Sequence, residues 1–121
     1  MPDQTTQPID PAELSIVNIL IHQLSLLLSE LLDASRSTVD PTRLIQINNE
    51  MLSVQTILTQ ATQAQAAADD VMFGHVTQAL KTQAGMLDGL EDQVTKIVTD
   101  VAAAGRIVGY IAEAVSLIDR L

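Results

Sequence analysis

Two histidines, His22 and His75, and one acidic cluster, Asp88, Glu91 and Asp92, are the residues of this sequence best suited to chemistry. A histidine can ligate a metal or carry a proton near neutral pH, and grouped carboxylates can hold a cation or work as an acid–base pair. The spacing supports neither use. No His-x-x-x-His or Glu-x-x-His pair presents two ligands on one helix face. A lone helical histidine is ordinarily a polar core or surface residue, and His22 would carry a pH response only if buried. The acidic cluster lacks the ligand spacing of a calcium loop, and Asp92 can pair with Lys96 one turn on. It reads as a solvated helix face. There is no cysteine, which excludes thiolate metal sites, disulfides and cysteine nucleophiles. No Gly-rich phosphate loop, nucleophile elbow or triad is present. The sequence therefore predicts no catalytic residue, cofactor or metal, no evident small-molecule substrate, and no enzyme.

What remains is apolar patterning. The chain has 121 residues, enough for one domain with a core. Hydrophobic residues make up 47%, yet the only aromatics are Phe73 and Tyr110. Leu, Ile, Val and Ala in such excess suit interdigitating helix seams rather than a sandwich or a deep ligand pocket. Net charge is −9, and the six basic residues are scattered, so nucleic acid has no electrostatic footprint. Charge-driven binding to an anionic membrane is disfavoured for the same reason. The start, MPDQTTQPID, lacks the basic and apolar run of a cleavable signal. The expected location is cytoplasmic, with signal-independent secretion left open.

Residues 1–8 read as a disordered tail and 9–121 as one helical domain. Asp10 and Pro11 start the first helix: the aspartate can cap free backbone N–H groups, and proline fits the first helical position. Glu13 completes a capping box, and Ile9 and Leu14 form a hydrophobic staple. Asp40 and Pro41 repeat the device, between Val39 and Leu44. The first helix is placed at about 11–35, with a seam of Leu14, Val17, Ile21, Leu24, Leu28 and Leu31. It is apolar nearly all round, as expected for a helix buried in a bundle or sheltered in lipid. Its uncharged run falls short of a bilayer span and is interrupted by Asn18, His22 and Gln23. The second helix is placed at about 41–68, with a seam of Leu44, Ile47, Met51, Val54, Leu58 and Ala61.

From Val71 to Leu121 an apolar seam runs at the 3.5-residue spacing of a coiled coil. Its second half is Leu87, Leu90, Val94, Ile97, Val101, Ala104, Val108, Ile111, Val115 and Ile118. A second seam, Ala103, Ile107, Tyr110, Ala114, Leu117 and Leu121, begins beside Val101. Gly85/Gly89 and Gly105/Gly109 each fall on one helix face, either for close backbone approach or by chance. No proline breaks the run. A continuous third helix would reach roughly 75 Å, against roughly 42 Å for the second. Its end would project past the hairpin of the first two, and an apolar overhang calls for another copy of the chain.

The fold predicted is all-α, an antiparallel bundle or coiled coil of three helices with a long C-terminal helix. The alternative is a compact four-helix bundle with a break near Asp100–Gly105. The function predicted is non-catalytic self-association as a structural or scaffold subunit. The seams of the third and first helices would make the contacts, among them Leu87 to Ile118 and Ile107, Tyr110 and Leu117. Two alternatives accompany it: a membrane-active helical protein and an adaptor for another protein's helix. The stretch Gln60–Met72 (QATQAQAAADDVM) resembles, in composition, the Ala/Gln-rich helices of the Reb proteins that build bacterial R-body ribbons. The likeness covers about a tenth of the chain, and it implies helical self-assembly as a role.

Overall fold

The structure, a computed structural model, describes residues 9–121. The expected tail at residues 1–8 lies outside the described residues. Among the described residues there are four helices: α1 (Pro11–Ser37), α2 (Pro41–Gln65), α3 (Asp70–Ile97) and α4 (Val101–Asp119). An aspartate caps each one. Asp10 Oδ1 accepts from the Ala12 N–H at 2.9 Å, and Asp40 Oδ1 accepts from Thr42 at 2.9 Å. Asp69 accepts from Met72 at 2.9 Å, and Asp100 accepts from both Ala102 and Ala103 at 3.0 and 3.2 Å. Pro11 and Pro41 occupy first-turn positions, where a missing N–H leaves no bond unmade.

The short connections force antiparallel neighbours. Each helix packs on its chain neighbours, α4 returns to pack on α1, and the diagonal pairs α1–α3 and α2–α4 do not touch. The result is an up-and-down four-helix bundle. The all-α class is as expected, but the long third helix is not. The run from Val71 to Leu121 breaks at Val98–Asp100, where the backbone is extended, and α4 folds back. The four-helix alternative is therefore the arrangement seen, with its turn ending at Asp100 rather than lying inside Asp100–Gly105. Ile97 and Ala104 are buried on either side of the turn, and Val101, which the seam places between them, is exposed. α2 also ends earlier than expected, at Gln65, and α1 ends later, at Ser37.

Asp100 is the cap that the reversal depends on. Asp100→Ala is expected to cost roughly 0.5–2 kcal/mol, with Asp100→Asn recovering most of it. Denaturant unfolding of the two variants measures this, and equal loss in both would show that capping is not the cause.

The core runs as one cluster along all four helices. In α1 the buried line is Val17, Leu20, Leu24, Leu27, Leu31 and Ala34. In α2 it is Ile47, Glu50, Val54, Ile57, Ala61 and Ala64. Both are rotated from the seams read in sequence, because each helix has two neighbours and buries the arc between them. The five glycines do not serve close packing within the chain: a Cβ added at any of them meets nothing within 4 Å. Gly109→Ala in mid-α4 is expected to stabilise the bundle by up to about 1 kcal/mol, read from the denaturant midpoint.

Candidate association surface

The residues expected to form intermolecular seams are used inside the chain. Leu87, Leu90, Val94 and Ile97 on α3 are buried, as are Ala104, Ile107, Ile111, Leu117 and Ile118 on α4. Val108, Tyr110 and Val115 are half-buried at the margins, and Val101 alone of these is exposed, at 85%. The two seams of α4 merge into one broad face that covers α1 and α3. While the bundle is closed, that face is not available to another copy.

The acidic cluster lies on α3 with Asp88 and Asp92 exposed and Glu91 half-buried. His22 and His75 are both exposed, so a pH response from a buried His22 does not apply. Among the described residues no group of three or more His, Asp or Glu side chains is placed to hold a metal ion. A polar cleft where α1 ends and α4 begins is lined by Glu30, Asp33, Asp100 and Arg106. Its cation is already engaged: Arg106 Nε donates to Glu30 Oε1 at 2.8 Å and ties α4 to α1.

A different surface stands out once the helices are placed. No Asp, Glu, Lys or Arg occurs from Leu14 to Ser29 in α1, nor from Leu44 to Gln65 in α2 apart from Glu50. Glu50 is buried. The adjoining outer faces of α1 and α2 are therefore free of formal charge over most of their length, in a chain of net charge −9. The exposed charges lie elsewhere: Lys81, Asp88, Asp92 and Lys96 on α3, Arg106 and Glu113 on α4, and the helix ends.

Several hydroxyls of α1 and α2 are bonded to their own helices. Ser25 donates to the Ile21 carbonyl at 2.8 Å, Thr59 to Gln55 at 2.9 Å and Thr62 to Leu58 at 2.9 Å. Thr56 does the same to Leu52, and Ser53 to Asn49. A hydroxyl whose proton is bonded to its own helix loses little when water leaves, and a threonine so held also presents a methyl group. Gln65 Nε2 donates to Asn18 Oδ1 at 2.8 Å, joining α1 to α2 across the surface. Between these groups Leu52, Ile45 and Ile19 are exposed, at 62%, 61% and 46%. Sequence reasoning missed the face because it read each helix by its apolar stripe. The signal was the absence of charge over two long stretches.

The chain matches no family model, no curated protein and no solved structure. The Gln60–Met72 stretch, which resembles Reb helices in composition, is not one helix here: it spans the end of α2, the turn and the start of α3.

Proposed function

We propose that this protein is a non-catalytic helical module that associates with copies of itself through the outer face of α1 and α2, as a structural or scaffold subunit. The observation that supports this reading is the charge-free face with self-bonded hydroxyls. Protein interfaces are depleted of Lys, Glu and Asp at their centres. Two bodies of charge −9 repel, and they meet most easily on a face without charge. With that face between them, the charges of α3 lie behind a helix layer roughly 10 Å thick in each copy, beyond a Debye length of roughly 8 Å. Amides and hydroxyls carry both donors and acceptors, so such a face can satisfy its own copy across a two-fold axis, whereas a face of one charge sign cannot.

Light scattering after size exclusion, without detergent and over a range of concentrations, tests the reading. A discrete oligomer is expected. Leu52→Lys puts a charge on the face at an exposed site and should leave stability within about 0.5 kcal/mol while weakening association at least 10-fold. The matched surface change Asp88→Lys on α3 should leave association intact. A monomer of 13.0 kDa at every concentration would overturn self-association.

A second reading has its own observation. α1 and α4 are each long and apolar enough to cross a membrane, with mean hydropathy 1.6, and they pack side by side. In that reading the pair moves into lipid. Flotation of the monomer with lipid vesicles would support it; a monomer that ignores vesicles would point to the adaptor role instead.

A further inference from the structure

Glu50 is the one charged-type side chain inside the bundle among the described residues. It sits in the buried line of α2 between Ile47 and Val54 and is 2% exposed. Neither carboxyl oxygen has a hydrogen-bond partner. An ionised carboxylate without a partner is among the most costly groups to hold in an apolar core, and a neutral carboxyl is far less so.

The helices around it offer no compensating cation. On α2 itself Arg43 lies beside Asp40, at 3.8 Å, near the helix start. On α1 Glu13 is half-buried in the first turn and His22 is exposed; the next charge is Glu30, which is held by Arg106, and Asp33 is exposed beside Arg36. On α3 Asp70, His75, Lys81, Asp88, Asp92 and Lys96 are exposed, and Glu91 is half-buried. On α4 Arg106 and Glu113 are exposed, and Tyr110 is half-buried. Burial is the sole influence on the Glu50 carboxyl, and it pushes the pKa up from 4.5 to about 7.

We infer that Glu50 is a proton-operated latch: the closed bundle holds it neutral, and loss of its proton as pH rises through the neutral range loosens α2 from the core. The sign follows from linkage. The folded chain binds this proton more tightly than the unfolded chain does, so the contribution is complete below pH 4.5 and is lost progressively as pH rises to about 7. Acid therefore tightens the bundle at this position.

The test is denaturant unfolding of the full chain at pH 5 and pH 8, followed by circular dichroism, on the wild type and Glu50→Gln at one protein concentration. Glutamine keeps the shape and cannot ionise. The wild-type folding equilibrium is expected to fall between the two pH values by a factor on the order of 10² more than that of the variant. Parallel profiles would overturn the inference. If an unpaired amide prevents folding, Glu50→Leu provides the same comparison, because it also lacks the titrating group. Hydrogen exchange along α2 gives a second readout: wild-type protection should drop selectively at pH 8 after correction for intrinsic exchange, and an unchanged pattern counts against the latch. The inference does not rest on self-association, and either can fail without the other.

Discussion

Glu50→Leu is expected to raise the stability of the protein by about 3 kcal/mol at pH 8, and by much less at pH 4.5. The magnitude follows from the difference between the ordinary carboxyl value of 4.5 and about 7 in the fold, at about 1.4 kcal/mol per pH unit. The direction follows from the environment. At pH 8 the wild type must either carry a charge among Ile47, Val54 and Ile57 or hold a proton against the solution. Leucine removes that choice and adds apolar contact, as replacements of buried ionic groups by well-packed hydrophobic residues have done elsewhere. A melting temperature higher by roughly 10 °C at pH 8 is the matching thermal readout. A gain of equal size at both pH values would mean that packing, not ionisation, is responsible. A loss at both would mean that the cavity around Glu50 does not accept a branched side chain.

Phe73→Ala is expected to destabilise the bundle by about 3–5 kcal/mol, a large share of the total for a domain of this size. Phe73 is the only phenylalanine in the chain and is 2% exposed. It enters the core in the first turn of α3, at the end of the bundle where the fully buried residues of α2 are Ala61 and Ala64. Truncation would leave a cavity that rigid helix backbones cannot close. Phe73→Leu should recover more than half of the loss. The measurement is the denaturant midpoint at constant slope; a loss below about 1 kcal/mol for the alanine variant would show that the ring is not packed.

Some of this architecture is legible along the chain because its causes are local. Asp10–Pro11 and Asp40–Pro41 act on backbone groups two residues away, so the starts of α1 and α2 can be read from four or five letters. The apolar excess in Leu, Ile, Val and Ala, with repeats at three and four, requires helices. The reversal after Ile97 is a different matter. Periodicity reports which face of a helix is apolar, not which way the chain runs. The link at Val98–Asp100 has nearly the length of one helical turn, so Ile97 and Ala104 keep a helical spacing in the sequence although a reversal lies between them, and only Val101, exposed beside the turn, leaves the seam. Asp100 carried the local signal of a cap, yet an aspartate is also tolerated on an exposed helix face.

The charge-free face of α1 and α2 and the burial of Glu50 depend on the same missing knowledge. A seam of Ile47, Met51, Val54 and Leu58 and a seam of Ile47, Glu50, Val54 and Ile57 differ by one residue of rotation. The first has Glu50 outside and the second has it inside. Only the positions of α1 and α3 choose between them. By itself the sequence determined the helical class and the caps of the first two helices, both of which follow from contacts within a turn or two. The tertiary structure decided that the last apolar segment closes its own bundle, that Glu50 lies in the core and that the uncharged faces of α1 and α2 adjoin. Those outcomes arise between residues far apart in the chain, where packing of four helices at once selects among alternatives that local chemistry leaves nearly equal.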